Sequence, residues 1–148
     1  MKTIIITGAS SGLGKEVARI ALKNKYRVVC IANDKCDLKG VHNIVCDLTD
    51  EKQIDKAAEM VQKKFSKFNV LINNAGVASE SPQNNIKYEE LNRVMRVNCF
   101  APIYLTSKLM DLIKENEADI INVGSTVLMG GYSDMLVYGS SKWGEPRC

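Results

Sequence analysis

Apolar residues occur along the chain in two patterns, as short continuous runs and as longer stretches in which they recur every three or four positions. The continuous runs have the length of β-strands. Runs of this kind are typical of strands that are buried on both faces, as in a parallel sheet. We therefore predict five buried strands, at residues 2–7, 27–32, 43–46, 70–72 and 119–123.

The stretches between these runs have the period of α-helices. We predict a first helix over residues 12–24, a second that begins after Asp50, and a long third over residues 88–115. Asp50 can cap the second helix, and Gln53 lies at the position that completes a capping box. The predicted buried face of the first helix contains Leu13, Val17, Ile20 and Ala21, and that of the second contains Ile54, Ala57, Ala58, Val61 and Phe65.

Strands that alternate with helices favour right-handed crossovers and a parallel sheet with helices on both faces. We predict an α/β fold, a doubly wound parallel sheet of the Rossmann-like type with strand order 3-2-1-4-5. The complete arrangement has a sixth strand beyond the fifth. The predicted fold lacks that strand and the substrate region, and forms one domain over residues 1–148.

Composition and charge exclude several classes of protein. Charged residues are 25% of the chain and the formal net charge is +3, so a dedicated nucleic-acid binder is not expected. No apolar run approaches the ~18 residues of a membrane span or the ~7 of a secretory signal. The five cysteines are odd in number and not closely paired. We therefore expect no disulfide framework and no metal site, and a cytoplasmic protein with reduced thiols.

A glycine-rich turn joins the first predicted strand to the first helix. Gly8, Gly12 and Gly14 lie in the sequence Thr-Gly-Ala-Ser-Ser-Gly-Leu-Gly at residues 7–14. Glycines let the backbone approach a phosphate closely, and the free N–H groups and positive dipole end of the helix favour an anion. At this junction the turn predicts a nucleotide site, with a purely structural turn as the alternative.

The spacing Gly-x-x-x-Gly-x-Gly resembles the turn of the short-chain dehydrogenase/reductase family. Three further elements follow in the order of that family. Residues 73–76 resemble its Asn-Asn-Ala-Gly, Ser125 follows the fifth strand, and Tyr138 and Lys142 form its Tyr-x-x-x-Lys. Ser125 lies 13 residues before Tyr138 and 27 residues after Asn98. The resemblance covers residues 1 to about 142.

This resemblance implies an NAD(P)-dependent oxidoreductase that transfers a hydride between a nicotinamide cofactor and a carbonyl compound or secondary alcohol. Tyr138 would exchange a proton with the reacting oxygen, Ser125 would hydrogen-bond it, and Asn98 would support a water-mediated proton relay. Lys142 would bind the nicotinamide ribose and favour the phenolate form of Tyr138. A free tyrosine has a pKa of ~10, and one ammonium at ~4 Å contributes about 4 kcal/mol at an effective dielectric of about 20.

The resemblance also implies a cofactor site. Asp47 would accept a hydrogen bond from the adenine amine. Asn33 stands where NADP users often carry arginine. Asp34 could bind a ribose hydroxyl, and Lys15 or Lys35 could bind a phosphate, so NAD and NADP are not distinguished. The implied cofactor residues are Gly8, Ser10, Ser11, Gly12, Leu13, Gly14, Asn33, Asp47, Leu48, Asn74, Ala75, Gly76, Tyr138 and Lys142.

The resemblance ends between Lys142 and Pro146. The helix that carries Tyr-x-x-x-Lys runs on in the family, whereas Pro146 cannot continue a helix without the loss of a backbone hydrogen bond. Members of the family continue further, so we expect a truncated chain with a premature or out-of-frame end, which sequencing beyond codon 142 would test. The fifth strand would then be an exposed sheet edge. Either a second copy covers this edge, which predicts a homo-oligomer, or the chain from about residue 124 onward is mobile. Weak or lost turnover is expected.

Three functions are consistent with the sequence. The first is an oxidoreductase for a small-molecule carbonyl or alcohol substrate. The second is a non-catalytic nucleotide-binding or interaction protein, and the third is a gene fragment with no function of its own. Neither nucleic acid nor a membrane is expected as a partner. Cofactor titration followed by a turnover assay separates the three functions.

Overall fold

The computed structural model describes residues 1–130 and 135–144, in which strands and helices alternate. A π-helical turn, Arg96–Phe100, joins the third helix to the fourth, and a short 3₁₀ helix, Thr126–Met129, precedes the fifth. The strands are β1 (Thr3–Thr7), β2 (Arg27–Ala32), β3 (Val41–Val45), β4 (Val70–Asn73) and β5 (Asp119–Asn122). The helices are α1 (Gly12–Lys23), α2 (Glu51–Lys64), α3 (Tyr88–Met95), α4 (Ala101–Asn116) and α5 (Leu136–Trp143).

The five strands form one parallel sheet in the order β3-β2-β1-β4-β5. The central strand β1 places Ile5 between Val29 of β2 and Leu71 of β4. The predicted fold class and strand order are confirmed, although β3 begins two residues earlier than predicted, at Val41. The order changes direction between β1 and β4, and in such sheets ligands bind beyond the carboxyl ends of the strands at this point.

Both faces of the sheet are buried, which explains the continuous apolar runs. Ile5 belongs to the core between the sheet and helices α2 and α4. Its neighbours Ile4 and Ile6 point to the opposite face, where Ala18 of α1 packs. Successive side chains of a strand alternate between faces, so three consecutive isoleucines supply two separate cores.

Helix α1 buries only part of the predicted face. Ala21 is buried and Val17 packs against the core, as predicted, but Leu13 and Ile20 are each 60% exposed. Gly14 and Ala18, which were not predicted, are buried. Small residues allow the helix backbone to approach the sheet closely, and the larger side chains therefore turn outward. The predicted face of α2 is confirmed, since its members Ile54, Ala57, Ala58, Val61 and Phe65 are all buried.

The sequence predicts one continuous third helix, and this prediction is wrong. The π-helical turn divides the region into α3 and α4. Pro102 lies in the first turn of α4. Proline has no N–H, so the α-helical bond to the carbonyl of Asn98, four residues earlier, cannot form. The turn brings three consecutive residues to the interior, Val97, Asn98 and Cys99. This local change of period is what buries Asn98.

In the described part of the chain, β5 lies at one edge of the sheet. Its Ile121 is 46% exposed, whereas Leu71 of the adjacent β4 is fully buried. The described ranges do not include Pro146, which is predicted to interrupt the helix, or Cys148. Among the helices of residues 1–130 and 135–144, none is long and apolar enough to span a membrane.

Candidate active site

The glycine turn between β1 and α1 requires glycine at two positions for different reasons. Gly8 and Gly12 have φ angles of +69° and +53°, which residues with a side chain disfavour. A Cβ on Gly8 would lie 2.8 Å from the Cα of Ala75, whereas a Cβ on Gly12 would meet no atom within 4 Å. Gly8 is therefore needed for packing, and Gly12 leaves open space on the side where a ligand can bind.

The N-termini of α1 and α2 differ in how their amides are satisfied. The carboxylate of Asp50 accepts a hydrogen bond from the N–H of Lys52 at 2.9 Å, as predicted for a helix cap. Ser11 is the corresponding residue of α1, and its side chain makes no capping bond. The first amides of α1 and its positive dipole end are therefore available to an anion, and this is how helix N-termini bind phosphate.

Gly14 lies behind the turn and packs against the loop after β4. A Cβ at Gly14 would lie 2.6 Å from the carbonyl oxygen of Gly8 and would also overlap the side-chain amide of Asn74. That amide donates to the carbonyls of Thr7 and Gly8 at 3.0 and 3.3 Å. Gly14 thus sets how closely α1 approaches the loop.

Thr7 holds the same loop from β1. Its Oγ1 accepts hydrogen bonds from the backbone N–H groups of Asn74 and Ala75, both at 3.0 Å. Thr7 is buried, so water cannot replace this acceptor. The turn after β1 and the loop after β4 consequently form one rigid wall.

A cleft of about 590 Å³ opens at the carboxyl ends of the strands, a size usual for small-molecule and cofactor sites. It brings most of the predicted cofactor residues together with Tyr138 and Lys142, two of the four predicted catalytic residues. The predicted residues that do not line it are Gly14, Asp47, Asn98 and Ser125. The residues that line it are Gly8, Ser10, Ser11, Gly12, Leu13, Ala32, Asn33, Leu48, Asn74, Ala75, Gly76, Val77, Ala78, Val97, Val123, Gly124, Tyr138 and Lys142.

The end of the cleft near β2 contains Asn33. Lys15, a predicted phosphate contact, forms an ion pair with Asp37 at 2.7 Å. The hydrogen bond and charge of Lys15 lower the pKa of the Asp37 carboxyl. The ammonium of Lys15 is therefore paired with a carboxylate, and its contact with a cofactor phosphate stays a prediction.

The predicted adenine contact Asp47 lies beside Leu48, which lines the cleft. One carboxylate oxygen of Asp47 accepts bonds from the N–H and the hydroxyl of Thr49, both at 2.8 Å. Its own N–H donates to Oε1 of Gln53 at 2.9 Å. Gln53 therefore accepts from the backbone N–H of Asp47. In a capping box it would accept from the backbone N–H of Asp50 instead. The contact between Asp47 and adenine stays a prediction.

Tyr138 and Lys142 lie one turn apart on α5, and both line the cleft. The Nζ of Lys142 is 5.9 Å from the centre of the Tyr138 ring and donates to the carbonyl of Val123 at 3.1 Å. Lys142 is only 5% exposed. Its charge is therefore held inside the wall of the cleft, where screening by solvent is weak.

Asn98 joins three elements. Its Oδ1 accepts from the N–H of Val77 at 2.8 Å, and its Nδ2 donates to the Val77 carbonyl at 2.9 Å and to Oγ of Ser141 at 2.8 Å. The side-chain amide uses both of its hydrogens in these bonds. Asn98 thus connects the π-helical turn to the loop after β4 and to α5, and its part in a water relay stays a prediction.

Ser125 follows β5 and begins the 3₁₀ helix. Its Oγ accepts a hydrogen bond from the N–H of Val127 at 3.3 Å. The preceding residue, Gly124, lines the cleft. Ser125 itself does not line the cleft but directly follows Gly124, and its role toward a substrate stays a prediction.

An ion pair on α3 holds the rim of the cleft. Arg93 donates to Glu90 at 2.8 Å and to the carbonyl of Ala78 at 2.9 Å, and Glu90 accepts from the N–H of Glu80 at 2.7 Å. The hydrogen bonds from Arg93 lower the pKa of Glu90 to about 2. Ala78 lines the cleft, so this pair fixes one edge of it.

Four residues that shape the site could not be identified from the sequence: Thr7, Val77, Val123 and Ser141. Thr7 and Val123 lie at the carboxyl ends of β1 and β5, and that position was the available signal. Ser141 lies three residues after Tyr138, on the same helical face. Val77 has no signal other than its place after the Asn-Asn-Ala-Gly sequence.

The chain was compared with known proteins. Residues 2–145 match the sequence model of the short chain dehydrogenase family. The NADPH-dependent 3-dehydrocapnine reductase of Ornithobacterium rhinotracheale is 34% identical, in an alignment that covers 90% of this chain and 54% of that protein. A metagenomic short-chain oxidoreductase solved in complex with NADP is 29% identical with a TM-score of 0.88, over 97% of this chain and 71% of that one. The 3-ketoacyl-(acyl-carrier-protein) reductase from Brucella melitensis, solved with NADH, is 29% identical with a TM-score of 0.87, over 96% and 64% of the two chains.

The chain belongs to the short-chain dehydrogenase/reductase family. The resemblance predicted from the glycine turn, the Asn-Asn-Ala-Gly sequence and the Tyr-x-x-x-Lys sequence is confirmed. The chain spans about half the length of the curated relative described above.

Proposed function

We propose that the protein is an NAD(P)-dependent oxidoreductase that transfers a hydride between a nicotinamide cofactor and a carbonyl compound or secondary alcohol. One observation carries this proposal. The glycine turn and the pair Tyr138 and Lys142 line the same cleft. An anion site and a proton-transfer site therefore face one another across a space large enough for a cofactor.

The shape of the cleft fits such a cofactor. Gly12 offers open space beside the uncapped amides of α1, and residues 8–13 would bind the diphosphate there. Asn33 and Asp47 would contact the adenosine part, and Lys142 would bind the nicotinamide ribose. When bound, the nicotinamide supplies or accepts the hydride. The similar structures solved with NADP and with NADH support both forms.

The side chains of α5 and of the loop after β5 would handle the proton. In the direction of reduction, the hydroxyl of Tyr138 would give its proton to the carbonyl oxygen, and in oxidation the phenolate would take it back. Ser125 would hydrogen-bond the same oxygen and so orient the substrate. The cationic Lys142 near the ring of Tyr138 would stabilise the phenolate that forms.

We propose a cytoplasmic location and a homo-oligomer as well. Cys30, Cys36 and Cys46 are free thiols, and these three and Cys99 are buried, which is usual in a reducing compartment. Burial raises the pKa of Cys30 and Cys46 to about 11, so these thiols are unreactive at neutral pH. On α4 and the turn before it, Ile103 and Phe100 are 46% and 54% exposed. Light scattering over a range of concentrations tests whether a second copy covers this surface.

The proposed function is tested in two stages. The fluorescence of Trp143, the single tryptophan, is first titrated with NADH and with NADPH. Turnover is then measured with a panel of ketones, aldehydes and 3-oxoacyl thioesters, and we expect saturable binding of at least one cofactor and oxidation of it by at least one substrate. Binding without turnover would favour a nucleotide-binding protein, and absence of binding would contradict both functions.

A further inference from the structure

Two serines lie side by side on α5, between the proposed catalytic residues, and their environments differ. Ser141 is completely buried, with 0% exposure, whereas Ser140 faces solvent. A polar side chain that is fully buried must have hydrogen-bond partners to be stable there. The partners of Ser141 are therefore informative about its role.

The hydroxyl of Ser141 makes one bond in each direction. It accepts from Nδ2 of Asn98 at 2.8 Å and donates to the backbone carbonyl of Tyr138 at 2.7 Å. A serine hydroxyl has one hydrogen to donate, and this hydrogen is used on the helix itself. The hydroxyl is thus directed by α5 and presents its oxygen to Asn98 in one fixed orientation.

The bond to Asn98 connects residues that are 43 positions apart in sequence. Because Asn98 also bonds the N–H and the carbonyl of Val77, a continuous chain of hydrogen bonds runs from the backbone of Tyr138 to the loop after β4. Tyr138 and Val77 both line the cleft. The chain of bonds therefore spans from the helix with the proton donor to the opposite wall.

Other bonds also join α5 to the rest of the chain. The N–H of Leu136 donates to Gln83 in an exposed position at 2.9 Å, and Nζ of Lys142 donates to the carbonyl of Val123 at 3.1 Å. Just after the helix, the thiol of Cys99 donates to the carbonyl of Gly144 at 3.0 Å. The bond between Ser141 and Asn98 is buried and lies next to Lys142. It is placed where a small rotation of α5 would move Tyr138 and Lys142 together.

We propose that Ser141 is a positioning residue, which fixes the rotation of α5 through Asn98 and thereby the location of Tyr138 and Lys142 in the cleft. This inference deepens the proposed function and rests on it. Ser141 itself does not touch the reacting atoms. Its effect on turnover is exerted through the position of the helix, and misplacement of reacting groups by about 1 Å is enough to slow a reaction on the order of a hundredfold.

The test compares Ser141→Ala with Ser140→Ala in the full chain, at a temperature where thermal unfolding shows both variants to be folded. We expect Ser141→Ala to lower kcat on the order of tenfold or more. The KM for the cofactor should change less than kcat, because only the ribose contact of Lys142 is displaced and the glycine turn is not affected. Ser140→Ala should behave like the unsubstituted protein. A residue needed only for stability would lower the melting temperature of the folded state but not kcat, and that result would overturn the proposal.

A double-mutant cycle tests whether Ser141 acts through Asn98. If it does, the variant with both Ser141→Ala and Asn98→Ala should have about the kcat of Asn98→Ala alone, because the second change removes a bond that is already lost. Effects on kcat that multiply would overturn the proposal, since the two residues would then act independently.

Failure of the proposed function is distinguished by a measurement that needs no turnover. If the unsubstituted chain shows no turnover, hydrogen exchange of the amides in Leu136–Trp143 decides the positioning role. Ser141→Ala should accelerate this exchange on the order of tenfold, and Ser140→Ala should not. Equal exchange in the two variants would overturn the role of Ser141 irrespective of the activity.

Discussion

The two ends of the cleft are built in different ways. At the end near the glycine turn, the parts are joined mainly through the backbone. The N–H of Gly8 donates to the carbonyl of Ile31 at 2.9 Å, and the side chains of Thr7 and Asn74 bond backbone groups on the facing segment. Close approach without side chains at Gly8 and Gly14 completes this end.

At the end near α5, the parts are joined mainly by side chains. Lys142 bonds the carbonyl of Val123, Asn98 bonds Ser141, and Ser125 caps the 3₁₀ helix. A single substitution can remove such a bond, as it can at Thr7, whereas the backbone contacts of Gly8 and Gly14 can be disturbed only by steric clash. We therefore expect that cofactor binding and turnover can be separated by substitution, with turnover the more sensitive of the two.

The largest expected effect is that of Tyr138→Phe. Removal of the hydroxyl removes the proposed proton donor, so kcat should fall by roughly 10²–10⁴-fold, the usual contribution of general acid–base catalysis. Cofactor affinity, measured by titration, should stay nearly the same because the ring is retained. The matched control is Tyr104→Phe on α4, whose hydroxyl bonds Asp55 at 3.1 Å away from the cleft and whose loss should leave kcat unchanged. Equal loss in both variants would contradict the role of Tyr138.

The next largest effect is expected at the other end of the cleft. In Gly14→Ala, the added Cβ would lie 2.6 Å from the carbonyl of Gly8, and overpacking of this kind costs roughly 1–3 kcal/mol. Urea unfolding should show this loss, and titration should show weaker cofactor binding because the turn is displaced. Gly130→Ala is the control, since its backbone is extended and a Cβ there meets nothing within 4 Å. Unchanged stability of Gly14→Ala would refute the close packing of α1 and the loop.

A smaller loss of stability is expected for Thr7→Val. Valine has nearly the same shape but accepts no hydrogen bond, so the N–H groups of Asn74 and Ala75 lose their acceptor at a cost of about 1–2 kcal/mol. Chemical denaturation measures this difference. In the exposed position of Thr126 the same exchange, Thr126→Val, should change the unfolding free energy little. A Thr7→Val protein as stable as the unsubstituted one would show that the turn after β1 and the loop after β4 are not joined there.

The smallest effect, and one that depends on pH, is expected for Glu90→Gln. The pKa of Glu90 is lowered to about 2 in the folded state by Arg93, compared with ~4.3 for an unperturbed glutamate. A lowered pKa stabilises the fold above the unfolded-state value and loses that contribution as pH falls through the folded-state value. Glu90→Gln should therefore be less stable than the unsubstituted protein near neutral pH, and the difference should disappear as pH falls from about 4.3 to about 2.

The control for this pH dependence is Glu89→Gln, an adjacent exposed residue with the same change of charge. Its unfolding free energy should differ from that of the unsubstituted protein by a nearly constant amount over the same pH range. If Glu89→Gln and Glu90→Gln showed the same pH dependence, the ion pair with Arg93 would not be the cause.

Much of the fold could be predicted from local patterns. The continuous isoleucines of β1 and the helical period of α2 identify their elements without any knowledge of the neighbours, because periodicity is a property of adjacent residues. Gly8 and Gly12 could be selected from the turn at the first strand–helix junction, and Tyr138 and Lys142 from the resemblance to the family. The structure brings these four residues to one cleft.

Other features depended on contacts between distant parts of the chain. The buried face of α1 is decided by how closely Gly14 approaches the loop after β4, and apolar size alone wrongly places Leu13 and Ile20 on that face. The burial of Asn98 follows from a π-helical turn, and that of Ser141 follows from its bond to Asn98, 43 positions away. Local periodicity can therefore be recognised from the amino-acid sequence itself. The partners of a buried polar group are decided only by the tertiary structure, because folding alone brings them within hydrogen-bonding distance.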